Sequence, residues 1–333
     1  MRPALIPVLA AFLAACDTMT TSEPGALVPR TVTEDPTLPA ITLNGRRMHA
    51  ESFGNVAGPV IVFLHGGPGG DYRSLLRLAD STNGRSLADD HYLVFWDQRG
   101  AGLSERVGKA ELTMDQYDAD LLALVDRYSP TRPVLLIGHS WGGMLATSFI
   151  NRHPTRVAGA VLIEPGPLTG ATFERIKSRI FDLNPTREWL NDVVWSSQFF
   201  SADDDVTMDY ERTLGVKVGQ PRFHERRHRD PEPFWRIGAR ANRYLQEDGQ
   251  DDEGTFTYDF TTNLQAFTPP VLFLAGARSE VLGPSLQQKQ VTLYPHGILA
   301  VIQGAGHDVH WTRTAAVLTE IQAYLATIEG GTP

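Results

Sequence analysis

Short apolar runs rich in valine, isoleucine and leucine punctuate this chain, separated by longer stretches of helical character. They are Val60–Leu64, Tyr92–Trp96, Val134–Ile137, Val157–Ile163, Val271–Leu274 and Ile298–Ile302. Strands apolar on both faces belong to a mostly parallel sheet covered by helices on each side, which makes the expected class α/β. Gly, Asp, His or Glu follows each run within two residues, so polar residues collect at the carboxyl edge of the sheet. Open α/β sheets bind ligands at that edge.

The rhythm breaks between Ile163 and Val271. Trp189, Trp195, Phe199, Phe200, Phe234, Trp235 and Tyr244 fall there without a strand of the earlier type. Helical spacing is expected over 173–183, 186–200 and 233–247. The segment 166–265 reads as a helical cap laid over the active edge, flanked by core segments 41–165 and 266–333. Its aromatics read as a small core and pocket lining.

Gly138-His139-Ser140-Trp141-Gly142 follows the third run and precedes a helical stretch. A serine on a sharp strand-to-helix turn needs neighbours without side chains, here Gly138, Gly142 and Gly143, and its hydroxyl is then pushed into the crevice. The helix that follows points its N-terminus at a developing oxyanion. A lone hydroxyl is a weak nucleophile at neutral pH and needs a base. His307, in the loop Gly304-Ala305-Gly306-His307, is the expected base, with His310 as a substitute at the start of the last helix. Glu280 is the carboxylate in the loop after Val271–Leu274 and is the expected partner of His307; its alternative is a surface pair with Arg278. An oxyanion needs two N–H donors, one after the nucleophile and one from His65-Gly66-Gly67-Pro68-Gly69-Gly70. Trp141 supplies the first and, since Pro68 has no N–H, Gly67 the second.

His65-Gly-Gly-Pro-Gly69, Asp97-Gln-Arg-Gly-Ala-Gly-Leu-Ser104 and Gly138-His-Ser-Trp-Gly142 together resemble the proline iminopeptidase group of α/β-hydrolases. The likeness is good over roughly 41–165 and weaker over 269–328. It implies an α/β-hydrolase fold, Ser140 and His307 as triad members, Gly67 and Trp141 as the oxyanion hole, a helical lid, and no metal or organic cofactor. Asp97 and Arg99 are expected to brace neighbouring loops. The chain departs from the group at Gly143, where Ser or Thr is usual, and at Ser279, where the acid is usually an aspartate. Glu280 is displaced by one position. In the cap, Ala241 stands where the group places a glutamate for the substrate's amino group, with Arg240 and Arg243 beside it. Glu174, Glu188, Glu225 and Glu247 are the candidate replacements.

The N-terminus carries a separate signal. Arg2 precedes an apolar stretch from Ala4 to Ala15, too short to span a bilayer, and Leu13-Ala14-Ala15-Cys16 resembles the lipobox of bacterial lipoproteins. The resemblance implies that 1–15 is a signal peptide and that Cys16 is lipidated and becomes the mature N-terminus. Asp17 then favours the inner membrane, on the periplasmic face. A plain secretory signal is the alternative. Cys16 is the single cysteine of the chain, so no intrachain disulfide forms. Residues 16–40, rich in Thr, Pro, Ser and Glu, read as a flexible tether.

Acidic residues outnumber basic ones, 39 to 30, for a net charge of -9, which argues against a phosphate-backbone partner. The basic run Arg222–Arg229 reads as a solvated face balanced by Asp203–Asp205 and Asp251–Glu253. The expected function is therefore a membrane-tethered hydrolase of a small ester, amide or short peptide, through an acyl-enzyme on Ser140. The alternatives are an esterase or lactonase without aminopeptidase activity and, from another class, a binding lipoprotein that kept the fold and lost the chemistry.

Overall fold

A computed structural model describes residues 28–180, 205–219 and 232–330. Cys16, Asp17, Glu188, Glu225 and the helical expectation over 186–200 lie outside them. An eight-stranded sheet forms the centre, in the order β1-β2-β4-β3-β5-β6-β7-β8. The six expected strands are present: β3 (Val60–Leu64), β4 (Tyr92–Trp96), β5 (Val134–His139), β6 (Val157–Ile163), β7 (Val271–Gly276) and β8 (Gly297–Ile302). All six run parallel. At one edge lie two unforeseen antiparallel strands, β1 (Ala40–Leu43) and β2 (Arg46–Gly54).

Period-two alternation divides the buried strand side chains between two layers. From β3, Val60, Val62 and Leu64 join the core beneath α1 (Met114–Tyr128) and α2 (Trp141–Arg152). Ile61 and Phe63 join the opposite core, with Leu318, Ile321 and Leu325 of the C-terminal helix Thr314–Glu329. Burying each such side chain contributes roughly 1.5–3 kcal/mol. Such two-sided burial is why β3 to β7 are legible as unbroken apolar runs. The first turn of α1 is closed by Thr113, whose side chain accepts from the Gln116 amide. By contrast, α2 has no side-chain cap, because Ser140 occupies that position in another conformation.

The cap interval carries helices α3 (Gly170–Ile180), α4 (Asp205–Gly219) and α5 (Ala239–Asp248). The sequence foresaw α3 and α5 approximately, but not α4. The expected tether over 16–40 is corrected in its described part. Val28, Thr31 and Val32 are buried, the Val32 amide donates to the Leu103 carbonyl, and Arg236 donates to the Pro29 carbonyl. Apolar burial and backbone pairing hold this arm against the core. Among the described residues no helix is long and apolar enough to cross a membrane.

Candidate active site

The carboxyl ends of β5 and β6 each continue into one residue with left-handed backbone. Ser140 has φ 52 and Glu164 has φ 42, a region costly for any residue with a Cβ. Each is pinned by the neighbouring strand. The Ser140 amide donates to the Ile163 carbonyl at 2.9 Å, and the Glu164 amide donates to the Leu274 carbonyl at 2.9 Å. The ladder thus extends one residue past each strand and fixes where both side chains leave the sheet. At the Ser140 turn a Cβ on Gly142 would lie 2.0 Å from the Leu64 carbonyl oxygen, so glycine is required for the turn to close on β3.

His307 stands in the loop after β8, 2% exposed. Its Nδ1 lies 2.8 Å from Glu164 Oε2, and the other carboxylate oxygen accepts from the Gly276 amide at 2.6 Å. Both oxygens of a wholly buried glutamate are therefore occupied by directional donors. This corrects the expectation for Glu280: the carboxylate that orients His307 is Glu164. Glu280 follows β7 on an exposed stretch of loop. His310, the substitute base, turns away: its Nε2 meets Glu232 Oε1 at 3.1 Å and the Ser74 hydroxyl at 3.0 Å. With Nδ1–H directed at Glu164, His307 keeps the lone pair of Nε2 for a proton.

Of the two expected oxyanion donors, Trp141 directly follows the serine, and Gly67 follows Gly66, where a Cβ would lie 3.5 Å from Ser140 Cβ. Trp141 begins α2, and its indole donates to Gln98 Oε1 at 2.9 Å. Gly67 has φ 134, and a Cβ there would meet the Gly69 and Gly70 amides at 2.7 and 2.8 Å. Among the described residues no acceptor is paired with either amide. The loop is held from below by His65, whose Nε2 accepts from the Gln98 amide at 3.0 Å while Nδ1 donates to the Gly66 carbonyl. Burial pushes the His65 pKa down, so the ring is a neutral strut. Asp97 is structural, as expected: it takes the Tyr72 and Leu103 amides and His49 Nδ1. Arg99 makes a two-point pair with Asp120 at 2.7 and 2.8 Å.

The family described as alpha/beta hydrolase fold matches residues 59–314, and the chain belongs to that family. A proline iminopeptidase from Heyndrickxia coagulans is 26% identical over 302 residues, covering 86% of this chain and 96% of its own length. Among solved structures, a proline iminopeptidase from Mycobacterium smegmatis superposes with a TM-score of 0.61 at 18% identity, covering 87% of this chain and 98% of that one. A thermophilic esterase from Thermogutta terrifontis gives 0.57 at 20% identity, covering 87% and 98%. The chain is a hydrolase of the α/β-hydrolase type, in the wider company of proline iminopeptidases and esterases.

Proposed function

We propose that Ser140 attacks a carbonyl, that His307 takes the hydroxyl proton, and that Glu164 holds the imidazole in the required tautomer. The amides of Gly67 and Trp141 then receive the tetrahedral oxyanion. His307 returns the proton to the leaving group, and a water, activated by the same imidazole, releases the acyl group from Ser140. The contact that carries this reading is the 2.8 Å bond between His307 Nδ1 and Glu164 Oε2, one strand over from the strained serine.

Among ester and amide substrates, the described residues favour a compact ester over a peptide with a free amine. A buried ammonium needs a paired carboxylate. Ala241, standing where the resembled group has its acid, is wholly buried in the core. Glu174 accepts the Phe256 amide and pairs with Lys177, and Glu247 is taken by Lys109 and Arg243. The aminopeptidase reading is favoured instead by the Heyndrickxia relative, a proline iminopeptidase matched along nearly its whole length.

Rates on a short-chain aryl ester and a prolyl arylamide, with Ser140→Ala as control, separate the two. Ester turnover exceeding arylamide turnover is expected, with the variant slower by on the order of 10⁴-fold or more. Arylamide preference reverses the substrate assignment. Equal rates in parent and variant would sink Ser140 as the nucleophile.

A further inference from the structure

One segment of the cap touches both halves of the catalytic apparatus. From 232 to 242 it is fastened along the oxyanion loop and its continuation. Arg73 donates to the Phe234 carbonyl at 3.3 Å, and the amides of Trp235 and Arg236 donate to Asp71 Oδ2 at 2.6 and 3.1 Å. The Gly238 amide donates to the Gly69 carbonyl at 2.8 Å, and Asn242 Nδ2 to the Pro68 carbonyl at 2.7 Å. Pro68 directly follows the oxyanion donor Gly67.

The other end of the segment reaches the base. Glu232 Oε1 accepts the Ser74 hydroxyl at 2.6 Å and lies 3.1 Å from His310 Nε2. His310 is wholly buried in the helical turn Val309–Thr312 that begins two residues after His307. Its ring packs on His139 at 4.2 Å between centroids, and His139 packs in turn on His307 at 4.7 Å. His139 Nε2 donates to the His307 carbonyl at 3.2 Å. Burial pushes the Glu232 carboxyl up, but the hydrogen bond and charge of His310 outweigh this and hold it well below the usual range. His139, by burial first and its two histidine neighbours second, is held well below the usual imidazole range and stays neutral.

His139, Glu232 and His310 also form a cluster of metal-type donors. Their contacts form a chain toward the His307 loop: His310 Nε2 to Glu232, the His310 ring packed on His139, and His139 Nε2 to the His307 carbonyl. His139 Nε2 carries the proton given to the His307 carbonyl, and its other nitrogen faces Gly66, where a Cβ would sit 3.1 Å away.

We propose that Glu232 is a positioning residue: through His310 and His139 it holds the His307 loop in register with the oxyanion loop fastened to the same segment. The assignment rests on His307 being the base. Its geometry predicts an unusual order among variants. Glu232→Gln keeps an oxygen at the same reach for both donors. Glu232→Asp keeps the charge but is one methylene shorter and lets go of His310.

The experiment measures kcat and KM on the aryl ester, with the low-field proton resonance of the His307–Glu164 bond read without substrate. Glu232→Gln is expected to keep kcat within about threefold and leave the resonance in place. Glu232→Asp is expected to lose about tenfold or more in kcat at little-changed KM, with the resonance shifted or broadened. A kcat retained in the aspartate variant overturns the proposal, as does a loss confined to the glutamine variant, because charge and not reach then matters. A change in KM alone also overturns it, since Glu232 would then serve substrate binding. Ser140→Ala reports independently on the catalytic reading, so its failure is seen separately.

Discussion

The ends of β6 and β7 are neighbours in the sheet, and each is followed by a glutamate within a few residues. They are nonetheless opposites. Glu164 leaves β6 in left-handed backbone, is wholly buried, and gives both oxygens to donors, the His307 ring and the Gly276 amide. Glu280 leaves β7 on an exposed loop, while Ser279 beside it is buried with a hydroxyl that has no partner among the described residues. Chain order allows either glutamate to serve as the acid of a triad. The difference is made by position: Glu164 directly follows β6, so the end of β7 anchors its amide and its second oxygen, whereas Glu280 stands four residues past Gly276.

The widest gap between the two positions is expected in catalysis. Glu164→Gln puts a donor NH₂ against His307 Nδ1–H, or forces the ring into the wrong tautomer, and kcat should fall on the order of 10³–10⁴-fold. A loss below tenfold in steady-state kinetics would return the acid to the open question.

Burial by itself is tested by a third carboxylate. Asp118 lies on α1, against Ser148 and Arg152 of α2, and is 2% exposed with one oxygen unpaired among the described residues. Burial lifts its pKa to about 6, against the pull of Arg152 and the Ser148 hydroxyl. The folded state thus holds this proton more tightly than the unfolded chain, whose carboxyl titrates near 3.9. The stabilising contribution is full below that value and is lost as pH rises through about 6, amounting to at most about 3 kcal/mol. Urea midpoints for Asp118→Asn should vary less between pH 4 and 7 than those of the parent, with activity changed far less than in Glu164→Gln. An unchanged slope would mean that relaxation or water satisfies the carboxylate. The smallest effect belongs to Glu280→Gln, expected to stay within about twofold of the parent in kcat/KM; a larger loss would restore a role to the β7 loop.

Five of the six parallel strands, β3 to β7, were legible because two-sided burial leaves no polar residue to interrupt the run; β8, at the sheet edge, keeps an apolar run although Ile298 and Val301 are exposed. β1 and β2 were not, since β2 mixes Arg46, Arg47 and Glu51 with half-buried positions. A turn signal was nevertheless present: Asn44 and Gly45 both have positive φ, the dipeptide a tight hairpin demands. Ser140, Gly67 and His307, the proposed nucleophile, oxyanion donor and base, stand in local motifs and could be proposed from them, since each such role needs particular neighbours. Glu164 could not be chosen that way. Its one local mark is a carboxylate ending a buried strand, and choosing it over Glu280 requires the order of strands in the sheet. Glu232 and His310 meet only through tertiary contact, between residues far apart in the chain.

The backbone of Ser140 also bears on how this protein tolerates change. A side chain held at φ 52 costs roughly 1–2 kcal/mol that glycine would not. At the position proposed as the nucleophile, the more stable residue is the inert one. On that proposal, a drift toward stability alone would silence the chemistry there while leaving the fold and strand order untouched. A chain from this family that carries glycine at the corresponding turn is therefore better described as relaxed than as damaged.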